Sequence, residues 1–243
     1  MTAASAPSIV TEVVPRSLAT ATMGAGDTDE WMSQRYAAPD GRFVRLNLVT
    51  TITGATAGVD GTSNSITSRT DRYVLGAIRR AADVVVVGAE TVRAEGYMLP
   101  KSVRLAIVTA SGDLGEKGLR TDGDRRPAII LCPQARAARV REALRDAPVE
   151  IMPLPAHDDA VGPQAIVDAL VAAHLPRIVC EGGPALATQF LEAGVVDEVC
   201  VTVSPAIEPP GHPFVQVSSA VATSVAGMLV DDAGFSYLRL HPQ

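Results

Sequence analysis

Arg177-Ile178-Val179-Cys180-Glu181-Gly182-Gly183-Pro184-Ala185-Leu186 is the stretch on which the reading of this chain turns. Ile178 to Cys180 form a short apolar run that stops at a Gly-Gly-Pro break. Leu186, Phe190 and Leu191 then follow at helical spacing. This pattern predicts a buried strand, a tight turn and a helix start. Pro184 suits the first helical position, where its missing N–H would have no partner anyway. Gly182 and Gly183 place no Cβ between the backbone and a ligand. Unpaired N–H groups and the positive end of the helix dipole then make the turn a phosphate cradle. The same residues also suit an ordinary strand-to-helix connection, and Gly-Gly-Pro alone does not choose between the two.

The rest of the chain repeats the strand–helix theme. Phe43 to Ile52 reads as a first strand, followed by a glycine-punctuated loop over 54–66. Ser68-Arg69-Thr70-Asp71 has capping-box spacing, and Val74, Leu75, Ile78, Ala81 and Ala82 give one apolar helix face. Val84 to Val87 reads as a strand buried on both sides. Gly88-Ala89-Glu90-Thr91-Val92-Arg93 then forms a second strand–turn–helix junction. Arg104–Thr109, Ala128–Cys132, Val149–Leu154 and Val199–Val203 are further strands. Helices are expected over 134–146 and from Ile166 to before Pro176. Val225–Val230 and Phe235–Leu240 flank Asp231-Asp232-Ala233-Gly234 as a hairpin. The alternation predicts a three-layer α/β/α fold, with a mostly parallel sheet and an antiparallel C-terminal hairpin. Residues 1–40 have no sustained period and are expected to be a loosely attached N-terminal extension, pinned at its end by Trp31 and Tyr36. Residues 41–243 form the main domain.

Composition narrows the function. Of 243 residues, 47% are hydrophobic and 20% charged, which is ordinary for a soluble α/β protein. The net charge of −6 argues against a general nucleic-acid binder. No apolar run is long enough for a membrane span, and residues 1–30 lack signal-peptide order. Cys132, Cys180 and Cys200 lie in apolar runs without a CxxC pair, as reduced core cysteines of a cytoplasmic protein do. His157, His174, His212 and His241 are scattered, so no metal site is expected.

Several segments, in order, resemble the reductase domain of bacterial riboflavin biosynthesis, a relative of dihydrofolate reductase. They are Leu46-Asn47-Leu48-Val49-Thr50-Thr51-Ile52-Thr53-Gly54, Ile66-Thr67-Ser68, Ile78 to Gly88, Thr91-Val92-Arg93-Ala94-Glu95, Glu181 to Leu186 and Gly194-Val195-Val196-Asp197-Glu198. The resemblance covers residues 42–241. Glu95-Gly96-Tyr97 is most similar to stand-alone actinobacterial members. The resemblance implies a dihydrofolate reductase-like fold and hydride transfer from NADPH to C1′ of the ribosyl group of 5-amino-6-(5-phosphoribosylamino)uracil. It also implies a homodimer, with apolar surface offered by Val199–Val203 and the C-terminal hairpin. The zinc-ligand motifs of the family's deaminase are missing, and residues 1–40 are too short to hold that domain. A reductase without deaminase activity is therefore expected.

The resemblance also assigns residues. Gly88, Thr91, Gly182, Gly183, Pro184 and Ala185 would hold the cofactor pyrophosphate, with Thr53, Thr109 and Ser111 on the same cofactor. Asn47, Ser68 and Arg79 would contact the phosphoribosyl-pyrimidine substrate, Arg79 by forking onto phosphate oxygens while Arg80 stays solvated. Glu95 and Glu181 would face the opening ribose as catalytic carboxylates, although Glu181 equally suits orienting the Gly-Gly turn. Two departures stand out. Ala110 replaces a common basic residue near the 2′-phosphate, which leaves NADPH against NADH open. Thr53 replaces a common Asp, which leaves open a pterin or dihydrofolate reductase, or a nucleotide-binding sensor without turnover.

Overall fold

Val84, Val85, Val86 and Val87 are all fully buried, because the strand they form lies between two layers of helix. The structure is a computed structural model and describes residues 7–116, 118–120, 125–209 and 213–243, with the Glu95 side chain outside the description. In chain order the elements are β1 (Ile9–Val14), β2 (Thr20–Thr22), α1 (Thr28–Tyr36), β3 (Phe43–Thr51), α2 (Arg69–Arg80), β4 (Val84–Gly88) and α3 (Ala89–Glu95). Next come β5 (Tyr97–Met98), β6 (Arg104–Val108), β7 (Leu119–Arg120), β8 (Ala128–Pro133), α4 (Ala137–Ala143), β9 (Val149–Leu154) and α5 (Pro163–Ala172). The last are β10 (Arg177–Cys180), α6 (Pro184–Glu192), β11 (Glu198–Ser204), β12 (Thr223–Asp231) and β13 (Ser236–Pro242).

Among the described residues, one sheet runs β2-β1-β12-β13-β11-β3-β10-β4-β6-β8-β9. From β11 to β9 all neighbours are parallel, and from β2 to β11 all are antiparallel. The period of two sends Val85 and Val87 into a core shared with Met32, Ile78, Val92 and Val140 of α1 to α4. Val84 and Val86 point the other way, into a core shared with Ile166, Leu170, Leu186 and Phe190 of α5 and α6. Each buried valine contributes about 1.5–3 kcal/mol relative to an exposed one. The three-layer expectation holds. No helix among the described residues is long and apolar enough to cross a membrane.

The order of crossing places the site. From β4 the chain moves outward through β6, β8 and β9, then returns so that β10 inserts between β3 and β4. α2 to α4 and α5 to α6 lie on opposite faces, so the helices change sides at this point. In open α/β sheets the crevice for ligands lies at the C-terminal ends of the strands at such a switch. α2 begins as expected, with the Ser68 hydroxyl accepting the Asp71 N–H at 3.0 Å. The return arm of the capping box differs: the Asp71 carboxylate accepts the Thr67 hydroxyl.

Two expectations are corrected. The N-terminal segment precedes the main domain in sequence, but from Ile9 onward it is not loosely attached. β1 pairs with β12 and β2 with β1, so the segment extends the sheet. α1 is held by its C-terminal carbonyls, since Arg45 donates to Tyr36 O at 3.0 Å and Arg239 donates to Arg35 O. Tyr36 is buried, and Arg35 stacks on Trp31. The segment hid from sequence reading because β1 carries Glu12 at an inward position, made tolerable by Arg35 at 2.8 Å. The helix expected over 134–146 is also shorter. A 3-10 turn spans Gln134–Arg136, α4 follows, and it stops before Pro148, which disfavours helical backbone at Ala147.

Candidate active site

The C-terminal ends of adjacent strands β4 and β10 each run into glycine and a helix start. Gly88 precedes α3 and Gly183 precedes α6, and neither helix has a side-chain cap at its N-terminus. Pro184 brings no N–H and Ala187 N–H donates to Gly183 O, so the N–H groups of Ala185 and Leu186 are left at the open helix end. The two glycines at Gly182-Gly183 serve different ends. A Cβ on Gly182 would meet Leu186 Cδ2 at 2.5 Å, so this glycine is required by packing. A Cβ on Gly183 would meet only Thr91 Oγ1, at 3.7 Å, and a Cβ on Gly88 would meet nothing within 4 Å. Both turns therefore border open space, with the Thr91 hydroxyl beside Gly183 and without a partner among the described residues. This cradle fits the pyrophosphate of a dinucleotide. Gly183→Val should leave the fold intact, since its φ of −59° suits any residue. It should weaken binding of a nicotinamide dinucleotide at least tenfold by calorimetry, because the branched side chain fills the cradle. An unchanged affinity would remove the cradle from consideration.

Beside the cradle lies a charged cluster. Glu181 follows β10, with its N–H on Val86 O, and Arg79 projects from the last turn of α2. Arg79 Nε donates to Glu181 Oε1 at 2.9 Å and Nη2 donates to Oε2 at 2.6 Å, a two-pronged pair. Arg79 Nη2 also donates to Tyr97 Oη at 2.7 Å. The Glu181 side chain is only 9% exposed and that of Arg79 28%. Burial opposes the Arg79 charge, but the hydrogen bonds and charge of Glu181 more than offset it and raise the pKa further. The guanidinium is thus a fixed cation at the cradle's edge.

The remaining expected residues divide. Arg79 and Glu181 come together, but as a pair rather than as two independent ligands. Ser68 and Arg79 do not: they sit at opposite ends of α2, eleven residues or about 16 Å apart, too far for one phosphate. Arg80 is exposed as expected and pairs with Asp29 at 3.0 Å. Asn47 lies on the α1–α4 face of β3, half-buried and opposite Cys200. The Thr109 hydroxyl is buried and accepts the Gly112 N–H at 3.1 Å, while Ser111 accepts the Asp113 N–H at 3.1 Å. Both hydroxyls therefore shape their own turn. The Glu95 side chain lies outside the described residues.

Thr53 has a local role that an aspartate could not fill. Its hydroxyl donates to Glu208 O at 2.7 Å and accepts Glu208 N–H at 3.0 Å. A carboxylate has no proton for the first bond. Thr53 therefore clasps the loop after β3 to the loop after β11. Tyr97 was missed by sequence reading, although Glu95-Gly96-Tyr97 had drawn notice. Gly96, at φ 66° and ψ 156°, adopts a conformation essentially confined to glycine and turns the chain so that Tyr97 reaches Arg79. A surface cleft of about 820 Å³ lies elsewhere, between α4 and the stretch from Ser111 to Gly115, and shares only Ser111 with the expected site. The cradle and the charged cluster better mark the chemistry, because that cavity gathers no converging catalytic groups.

Comparison with known proteins shows the family to which the chain is similar. Residues 42–208 match the RibD C-terminal domain family. The riboflavin biosynthesis protein RibD of Mycobacterium tuberculosis (strain CDC 1551 / Oshkosh) is 30% identical over 213 residues, covering 85% of this chain and 54% of its own. The chain thus spans about half the length of that relative. A 2,5-diamino-6-ribosylamino-4(3H)-pyrimidinone 5′-phosphate reductase of Methanothermobacter thermautotrophicus is 28% identical over 174 residues, covering 68% of this chain and 78% of its own. A pyrimidine reductase-like protein of Corynebacterium diphtheriae shares the fold, with a TM-score of 0.70 at 24% identity over 87% of this chain and 98% of its own.

Proposed function

Because the chain belongs to the RibD C-terminal domain family, we propose that it is an NADPH-dependent reductase of riboflavin biosynthesis, acting on 5-amino-6-(5-phosphoribosylamino)uracil. The observation that carries this reading is the position of the Arg79–Glu181 pair immediately beside the Gly88/Gly183 cradle. Bound NADPH supplies a hydride. The chain's own residues hold and polarise. Gly88, Thr91, Gly183 and Ala185 hold the pyrophosphate. Arg79 offers its Nη1 protons, which have no partner among the described residues, to a substrate phosphate. Glu181, held by Arg79 and next in sequence to the Gly182-Gly183 turn, would hydrogen-bond a ribose hydroxyl. Opening of the ribose ring would need a proton on the ring oxygen, and water would supply it.

The reading extends to assembly and location. Val199–Val203 is not a free surface, because β11 lies between β3 and β13 inside the sheet. The exposed part of the hairpin is the face turned away from α1. There Met228 and Leu238 face each other across the ladder beside Val230, half-buried and outside both cores. This face is our candidate for a two-fold dimer contact. Light scattering should give about twice the 25.3 kDa chain mass, and the monomer mass at micromolar concentration would reject the dimer. The three cysteines are free and buried, and burial pushes the Cys180 thiol up to about 12, as suits a reduced cytoplasmic protein.

Oxidation of NADPH, followed at its own absorbance, tests the function. Turnover with the phosphoribosyl uracil and little with dihydrofolate is expected. Preference for dihydrofolate would assign a pterin reductase, and no turnover with either would leave a nucleotide-binding protein.

A further inference from the structure

We propose that Tyr97 is a positioning residue that locks Arg79 in its substrate-binding orientation. The proposal rests on the reductase reading above for its kinetic consequence, but its geometry stands alone. A guanidinium has five N–H donors. In Arg79, Nε and one Nη2 proton are taken by Glu181, at 2.9 and 2.6 Å. The phenol oxygen of Tyr97 accepts the other Nη2 proton at 2.7 Å. Tyr97 also faces Glu181 Oε2 at 3.4 Å, so the phenol touches both members of the pair. Three donors are thereby fixed, and the two on Nη1 have no partner among the described residues on a side chain that is 28% exposed.

The backbone shows why Tyr97 can hold this position. Gly96 ends α3 with its N–H on Val92 O and a positive φ of 66°. The chain then enters the short parallel β5–β7 ladder, where Tyr97 N–H donates to Gly118 O at 3.1 Å and Leu99 N–H to Arg120 O at 2.9 Å. Leu99 is buried and anchors the far end. The ladder and the turn at Gly96 therefore carry the phenol, whereas Arg79 stands on the last turn of a helix with a long side chain of its own. Without Tyr97, the Glu181 fork still holds one edge of the guanidinium, but its rotation about the Cζ–Nε bond and its tilt are less restrained.

Tyr97→Phe removes one oxygen and keeps the ring. It should raise KM for the phosphoribosyl uracil and lower kcat/KM about five- to tenfold, the size of one lost hydrogen bond. kcat and NADPH affinity should stay within twofold, because an orientation that serves substrate binding acts mainly on KM. In an Arg79→Ala background Tyr97→Phe should have no further effect, because the group it orients is gone. An effect below twofold in the wild-type background, or an equal loss in the Arg79→Ala background, would overturn the proposal. If the wild-type protein does not reduce the uracil at all, the functional reading fails and the proposal is read by NMR instead. Tyr97→Phe should then speed rotation of the Arg79 guanidinium at least fivefold, and an unchanged rate would overturn it.

Discussion

Replacement of Arg79 by alanine should lower kcat/KM for the phosphoribosyl uracil by ten- to a hundredfold while leaving NADPH affinity near wild type. A charge-assisted hydrogen bond to phosphate is worth about 1.5–3 kcal/mol, which is that range in binding. The structure adds a second consequence. Glu181 is nearly buried, and Arg79 is its cation. Arg79→Ala leaves that carboxylate without its partner, so the melting temperature should fall as well. Arg79→Lys separates the two effects. It keeps a positive charge beside Glu181 and should recover much of the stability, but it cannot fork onto two oxygens and should recover little of the activity. Arg80→Ala should be nearly silent, because Arg80 and its partner Asp29 are both exposed. Damage from Arg80→Ala instead of Arg79→Ala would place the wrong face of α2 at the cleft.

The largest loss of stability should come from Glu198→Ala. Glu198 and Arg45 have side chains 1% and 2% exposed, joined at 2.6 Å. Arg239 completes the cluster through Nε at 3.0 Å and Nη2 at 2.8 Å. Removing the carboxylate strands two guanidinium groups, one fully and one largely buried, which costs about 3–5 kcal/mol. The same guanidiniums hold the Tyr36 and Arg35 carbonyls, so the N-terminal segment should come loose from the sheet first. Arg42→Ala breaks the exposed pair with Asp197 and should cost no more than about 1 kcal/mol. Denaturant titration with tryptophan fluorescence reads both, since Trp31 lies in α1. Burial works against the Glu198 charge, but Arg45 and Arg239 outweigh it and hold its carboxyl below the ordinary value. A lowered folded-state pKa gives stability that is present above the unfolded value of about 4.3 and lost as pH falls through the folded one. The wild-type protein should therefore lose this contribution in acid, and a Glu198→Ala variant should show a flatter acid limb. Equal stability of the two proteins at neutral pH would refute the cluster's role.

What the sequence revealed follows a physical divide. Val84 to Val87 and Ile178 to Cys180 announce buried parallel strands because apolar continuity is dictated by burial on both faces. Ser68 announces a helix start because its cap is local. The N-terminal strands stayed hidden because β1 is an outer strand whose inward Glu12 is made acceptable by Arg35, a partner 23 positions away. The two strand–glycine–helix turns of the candidate site were legible at Gly88 and Gly183, because backbone geometry carries them. The site was illegible where side chains from distant elements meet. Nothing local in Arg79 or Glu181 says that each is the other's partner, and Tyr97 joins them only because Gly96 turns the chain. Ser68 and Arg79 look equivalent as motif residues, yet they stand at opposite ends of α2, eleven positions apart.

The most direct test of the account follows the hydrogen itself. The protein is incubated with NADPH deuterated at the transferring C4 position and with 5-amino-6-(5-phosphoribosylamino)uracil, and the product is examined by mass spectrometry and NMR. The account predicts a ribityl product carrying one deuterium on C1′, with the second new hydrogen drawn from water, and predicts the loss of that product in Arg79→Ala. An unlabelled C1′, or labelled tetrahydrofolate formed in preference when dihydrofolate is supplied alongside, would contradict it.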